Sequence, residues 1–79
     1  MAVFVLERYA SGLTLDGVHQ AAARVAATAD VIHLLSLFVP GDDAALSVFT
    51  ADTMGQLEGA ARCEGTPFER IVQAVLVEH

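Results

Sequence analysis

Apolar residues occur along this chain in four short runs, separated by stretches with a different periodicity. The runs fill residues 3–9, 31–39, 46–51 and 71–77, and β-branched and aromatic side chains, which favour strands, are frequent in them. Between the first and second runs, and again between the third and fourth, apolar residues recur at the three- and four-residue spacing of a helix face. The pattern predicts the order βαββαβ in one domain covering residues 1–79. This order is typical of the ferredoxin-like α+β fold, in which two helices cover one face of a four-stranded antiparallel sheet.

Residues that favour helix boundaries stand at the ends of both predicted helices. Thr14 is placed to cap the first helix, and Thr53 with Gln56 fits a capping box at the start of the second. Gly65 is placed to end the second helix. The expected buried stripes are Leu15, Val18, Ala22, Val25 and Ala29 on the first helix, and Met54, Leu57 and Ala61 on the second.

The composition indicates a small domain for which we expect additional support from a second chain. Cys63 is the single cysteine among 79 residues, which excludes an intrachain disulfide and a thiolate zinc site within one chain. Hydrophobic residues make up 54% of the chain, against the ~45–50% that is usual. Two helices can cover only one face of the sheet. We therefore expect a homodimer in which a second copy covers the other face.

The charge balance limits the classes of partner. Acidic residues outnumber basic ones ten to four, the net charge is −6, and the chain has no lysine. Nucleic acid binding, which relies on clustered basic residues, is not expected. No apolar run approaches the ~20 residues that cross a bilayer, and the first residues lack the basic segment of a signal peptide. We expect a cytoplasmic protein without a membrane partner.

Strand alternation assigns side chains to two faces of the predicted sheet. The odd-numbered positions place Glu7, Tyr9, His33 and Gln73 together as a polar cluster among aliphatic neighbours, while the even-numbered positions are expected under the helices. A carboxylate close to an imidazole can bind nickel or zinc, act as an acid–base pair, or form a hydrogen-bonded seam that fixes the register of a dimer. Glu7 and His33 are the candidate metal ligands. Tyr9 and Gln73 are expected to line a pocket or interface.

Three short segments, which together extend over almost the whole chain, occur in a characteristic order. They read FVLERY at 4–9, SLFVPGD at 36–42 and GTPFERIV at 65–72. In this order they resemble a family of small bacterial ferredoxin-like proteins that is often labelled nickel-binding after one nickel-responsive member. The resemblance implies the βαββαβ fold, a homodimer whose sheets face each other, and nickel as a ligand. The chain departs from the family at Ser47, where members often carry cysteine, and at His33, where many carry a large aromatic residue.

Two functions of different classes follow from these observations. The first is a small, non-enzymatic homodimer that binds nickel or another divalent metal. The alternative is a dimeric α/β-barrel protein that binds a small molecule or acts as an enzyme, similar to the monooxygenases and cyclases of this fold. An enclosed apolar cavity on the order of several hundred Å³ would favour the alternative. A filled core would favour metal binding or a purely structural role.

Overall fold

The computed structural model of the protein describes residues 1–28 and 30–77. The elements are β1 (Ala2–Tyr9), α1 (Leu15–Ala26), β2 (Ile32–Val39), a short 3₁₀ turn (Pro40–Asp42), β3 (Ala44–Ala51), α2 (Met54–Cys63) and β4 (Arg70–Ala74). The four strands form one antiparallel sheet in the order β2-β3-β1-β4. The ferredoxin-like α+β fold predicted from the apolar pattern is confirmed.

The predicted caps begin both helices. The Thr14 hydroxyl oxygen accepts a hydrogen bond from the Gly17 amide at 3.0 Å, and the Thr53 hydroxyl oxygen accepts one from the Gln56 amide at 3.1 Å. The Gln56 side chain in turn accepts from the Asp52 amide at 2.9 Å, so amides that a helix start leaves without backbone partners are satisfied here. Within the described residues, neither helix has the length and apolar character needed to span a membrane.

The core lies between the two helices and one face of the sheet. Phe49, Leu57 and Val25 are its largest fully buried residues. On both helices burial begins one turn later than predicted, since Leu15 is 69% exposed and Met54 is 38% exposed. The buried helix positions are Val18, Ala21, Ala22 and Val25 on α1, and Leu57, Ala60 and Ala61 on α2. Ala29, the last predicted stripe position, lies outside the described residues.

The last strand is shorter than predicted. It ends at Ala74, which is paired with Val3 near the start of β1. Beyond Ala74 the neighbouring strand offers almost no further backbone to pair with. Val75 and Val77, predicted to be in the strand, therefore follow it and are 85% and 91% exposed.

Candidate functional site

One face of the sheet is not covered by the helices and is called here the open face. Most of its strand positions are aliphatic, and Ile32, Leu35 and Leu37 on the edge strand β2 are each about half exposed. Glu7 and Arg70 are the charged residues among these positions. The strand register assigns to the open face Val3, Val5, Glu7, Tyr9, Ile32, Leu35, Leu37, Val39, Ala44, Leu46, Val48, Thr50, Arg70, Val72 and Ala74.

Glu7, Tyr9 and Arg70 form a polar cluster on the open face. Glu7 and Tyr9 are two residues apart on β1, and Arg70 stands opposite Glu7 on β4. The Tyr9 hydroxyl donates to Glu7 Oε1 at 2.7 Å, and Arg70 Nε donates to Glu7 Oε2 at 2.7 Å. Both carboxylate oxygens are thus engaged, one of them by a cation. The expectation that Glu7 and Tyr9 share a polar cluster on the uncovered face is confirmed.

The hydrogen bonds of this cluster shift two pKa values in opposite directions. The hydrogen bond from Tyr9 has the largest effect on the pKa of Glu7 and lowers it. The hydrogen bond and the positive charge of Arg70 also lower this pKa, whereas burial raises it. The same Tyr9–Glu7 bond, with burial, raises the pKa of Tyr9. The cluster is therefore most stable with Glu7 ionised and Tyr9 protonated.

Glu7 is expected to make the stability of the protein depend on acidic pH. Because folding lowers its pKa below the ordinary value of 4.5, its contribution is complete above that pH and is lost as pH falls through the lowered pKa. Urea unfolding of the parent and Glu7→Gln proteins between pH 7 and pH 3 measures this. The stability difference should be largest near pH 7 and shrink below pH 4.5; a difference that is independent of pH would contradict the assignment.

His33 lies on the opposite, helix-covered face of the sheet, so its predicted place beside Glu7 was wrong. His33 is paired with Phe49, whereas Leu35 is paired with the next residue of β3, Val48. Leu34 is therefore an extra residue in β2, a β-bulge, and it reverses the alternation before Leu35. Because the sheet separates Glu7 from His33, the two side chains cannot bind one ion within a single chain.

Gln73 also lies on the helix-covered face, where it is exposed at the sheet edge, and not beside Glu7 as predicted. It is paired with Phe4, and its neighbour Ile71 is paired with Leu6. Ile71 fills the core, which fixes the odd positions of β4 under the helices. Val72 and Ala74, predicted to lie under the helices, face the open side for the same reason.

The His33 side chain begins a hydrogen-bonded series across two strands. Its Nε2 lies 2.8 Å from Ser36 Oγ, which lies 2.7 Å from Ser47 Oγ on the adjacent strand. The imidazole also packs against the Phe49 ring, with 5.2 Å between ring centroids. The series holds the ring in one orientation and satisfies two half-buried or buried hydroxyl groups.

A small cavity beneath α1 is lined in part by Arg8 and Thr66, and each of these residues has a buried donor atom. Arg8 Nε and Thr66 Oγ1 each expose less than 1 Å², and neither has a hydrogen-bond partner within residues 1–28 and 30–77. The cavity has a volume of about 20 Å³. It is lined by Leu6, Arg8, Val18, Ala21, Ala22, Val25, Ala45, Ser47, Phe49 and Thr66. A signal for Arg8 existed in the sequence, because it follows Phe4 and Leu6 in the same core-facing alternation.

Thr66 is held at the cavity by the end of α2. Gly65 adopts a left-handed conformation with φ of +65°, and its amide donates to the Arg62 carbonyl at 3.1 Å. The Thr66 amide donates to the Ala61 carbonyl at 2.9 Å, which completes a Schellman motif. The backbone of Thr66 is thus fixed independently of its side chain, and the hydroxyl group is carried into the core.

Two further features bear on the functions expected from the sequence. A larger depression of about 550 Å³, lined by Met1, Asp30, Val31, Ile32 and Asp52, is open to solvent and not enclosed. Across residues 1–28 and 30–77, no group of three or more histidine, cysteine, aspartate or glutamate side chains is placed to hold a metal ion.

Comparison with known proteins gives a match of fold. The structure is similar to the crystal structure of SCO4226 from Streptomyces coelicolor A3(2), with a TM-score of 0.84 and 17% sequence identity. The match covers 98% of this chain and 100% of that one. No family model and no curated protein matches the sequence. At this identity the similarity establishes the ferredoxin-like fold.

Proposed function

We propose that this protein is a small, non-enzymatic, cytoplasmic homodimer in which the open faces of two sheets pack against each other as a dimeric α/β barrel. The observation that carries the proposal is the aliphatic open face, on which Leu35 and Leu37 are 46% and 54% exposed. Contiguous apolar surface of this kind marks an interaction site in proteins that are stable in water. A partner is needed to remove these side chains from water.

A second copy of the chain fits the charge distribution of the open face. The protein carries a net charge of −6, but on the open face Glu7 is compensated by Arg70 at 2.7 Å. Two copies that approach through this face therefore bring together surfaces without net charge. The acidic groups that are not compensated lie elsewhere on the chain. Their electrostatic repulsion therefore opposes association less at this face than at other faces.

The polar cluster is compatible with burial in such an interface. Both oxygens of Glu7 accept hydrogen bonds, and the Tyr9 hydroxyl donates its proton to one of them. A charged pair with satisfied partners is much less costly to bury than a single unpaired charge. The cluster also places polar groups at one position of an otherwise apolar interface, which favours one register between the two sheets.

The cavity volume favours this proposal over a barrel enzyme. Ligand pockets for organic substrates commonly occupy ~300–1,000 Å³, whereas the cavity beneath α1 has about 20 Å³. A core that is nearly filled is expected for a structural or ion-binding protein. The described residues form no enclosed pocket of the size that the monooxygenase-like and cyclase-like alternative requires, because the depression of about 550 Å³ is open to solvent.

Nickel binding at His33 is a second candidate function. The family resemblance implies nickel, and the bond of Nε2 to Ser36 at 2.8 Å is of the kind that orients histidine ligands, since the second ring nitrogen then serves the metal. In this proposal Nδ1 is the ligand atom. Glu7 is not part of the site because it lies on the other face of the sheet.

Calorimetric titration of the tag-free protein with nickel, zinc and cobalt salts tests the metal proposal. The change His33→Ala is expected to weaken nickel binding at least tenfold, or by ~1.4 kcal/mol, without dissociating the dimer. His19→Ala, which removes an exposed histidine of α1, and Glu7→Gln should leave the affinity unchanged. Absence of nickel binding by the parent protein, or equal losses in the two histidine variants, would exclude His33 as the ligand.

A further inference from the structure

We propose that residues 75–77, called here the apolar extension, pair as a strand with the free edge of β2 in a second copy of the chain. This inference rests on the proposed homodimer and adds to it which edges of the two sheets meet. The apolar extension follows β4, whereas β2 is the strand at the other end of the sheet order. Each copy contributes one extension and one β2 edge, so the pairing occurs twice in the dimer.

The first argument is the exposure of the apolar extension. Val75 and Val77 are almost fully exposed, and Leu76 between them is half exposed. Single exposed apolar residues are ordinary in soluble proteins, but contiguous ones mark a contact with another molecule. Because Ala74 already stands opposite Val3, near the start of β1, the sheet of the same chain has almost no backbone left to pair with the extension. A strand from another chain supplies that backbone.

The second argument is the unprotected edge of β2. In the described part of the chain, β2 pairs with β3 on one side and with no strand on the other. Edge strands of soluble proteins commonly carry charged residues or proline, or are very short, which prevents pairing with other chains. The eight residues of β2 include no acidic residue, lysine, arginine or proline. The bulge at Leu34 interrupts the strand, but residues 35–39 pair regularly with β3 and continue the edge beyond it.

The third argument is the geometry of the sheet. Because β3 and β1 lie between β2 and β4, the apolar extension does not meet β2 of its own chain. All neighbouring strands are antiparallel, so β2 and β4 run in opposite directions. A two-fold axis along the barrel therefore places β4 of each copy beside β2 of the other in antiparallel orientation. The strands of the two sheets then form a closed barrel, which has no free edge.

The lengths and the side chains of the two segments also match. β4 has five residues and β2 has eight, and the three residues of the apolar extension make up the difference. Continuing the alternation of β4 places Leu76 on the open face with Val72 and Ala74, where it meets the leucines of β2 in the second copy. Neither the apolar extension nor β2 contains an acidic residue, lysine or arginine, so the pairing buries no charge from these two segments.

Photo-crosslinking from position 77 tests which edges meet. Val77 is replaced by the photoreactive amino acid p-benzoylphenylalanine, and labelled and unlabelled protein are refolded together, so that crosslinks between copies differ in mass from crosslinks within one chain. After irradiation, mass spectrometry of the digested product locates the attachment. We expect a covalent dimer with the attachment in β2 of the other copy. Attachment to β4 or to the apolar extension of the other copy, attachment within the same chain, or the absence of a crosslink overturns the proposal.

A pair of aspartate variants measures the contribution of the apolar extension to association. Val77→Asp should raise the dimer dissociation constant about tenfold or more, because aspartate is unfavourable in a strand and the change occurs twice in each dimer. Leu15→Asp, at an exposed position of α1, should leave the constant unchanged. Analytical ultracentrifugation measures the constants, and circular dichroism confirms that both variants are folded, as expected for side chains that face solvent in one chain.

The two experiments separate this inference from the proposed homodimer. If the parent protein is a dimer and Val77→Asp has the same dissociation constant, the apolar extension is not part of the contact, whereas the dimer itself stands. If Val77→Asp and Leu15→Asp weaken association equally, the effect comes from added charge and the inference is also wrong. A monomeric parent protein would overturn both the inference and the homodimer.

Discussion

Replacing Leu37 by aspartate is expected to convert the dimer into a folded monomer. Leu37 lies on the open face of β2, opposite Leu46, and is 54% exposed in one protomer. In the dimer each copy would place a carboxylate in an apolar interface, and burial of an unpaired charge costs several kcal/mol. A loss of ~3 kcal/mol corresponds to a more than hundredfold rise in the dissociation constant. The monomer itself should tolerate the change, since the side chain already faces solvent there.

Leu15→Asp is the matched control for this prediction. Leu15 is a leucine of higher exposure, 69%, but it lies on α1 and not on the open face. The molar mass of both variants is measured by size-exclusion chromatography with light scattering, and circular dichroism confirms that each is folded. Leu37→Asp should be a monomer and Leu15→Asp a dimer. If Leu37→Asp stays dimeric, or if both variants dissociate, the open face is not the interface.

Replacing Phe49 by alanine is expected to remove most of the stability of the domain. Phe49 is 1% exposed, lies opposite Phe4 on β1, and packs against the His33 ring. Removing a buried phenylalanine costs ~3–5 kcal/mol. Small domains have net stabilities at the low end of ~5–15 kcal/mol, so the variant should be partly or fully unfolded at 25 °C. Urea unfolding, monitored by circular dichroism at a fixed protein concentration, measures the loss of unfolding free energy.

Phe38→Ala makes the same chemical change at a half-buried position of the same face. The loss of unfolding free energy in Phe38→Ala should be less than half of that in Phe49→Ala, because folding removes less of the apolar surface of Phe38 from water. Equal losses at the two positions would show that Phe49 is not the centre of the core. A loss below ~1 kcal/mol for Phe49→Ala would show the same, since that value is typical of an ordinary substitution.

The element order and the helix boundaries could be predicted because they depend on neighbouring residues. The spacing of Val18, Ala22 and Val25 indicates a helix wherever it occurs, and Thr14 and Thr53 form their caps within the same turn. The strands were recognisable from their β-branched residues. These features are local, and tertiary contacts strengthen them without changing them.

The sheet faces could be predicted only in part because they depend on pairing between distant residues. The alternation in β1 placed Glu7 and Tyr9 correctly, but the bulge at Leu34 moved His33 to the other face. Gln73 moved because Ile71, paired with Leu6, fills the core. A shift of one residue reverses every side chain of a strand, and the sequence of β4 alone contains apolar residues in both registers.

The cavity was missed for a related reason. Glu7 pairs with Arg70, which is distant in sequence, and not with its chain neighbour Arg8. Arg8 occupies a core-facing position, where it lines the cavity together with Thr66 from the end of α2. Only the assembled sheet and helices bring these two residues to one cavity.

The mass of the unmodified protein in solution tests the central claim, that a second copy covers the open face. Light scattering of the tag-free chain at micromolar concentration should give twice the 8.3 kDa of one protomer. A single species of 8.3 kDa at that concentration would contradict the proposed dimer.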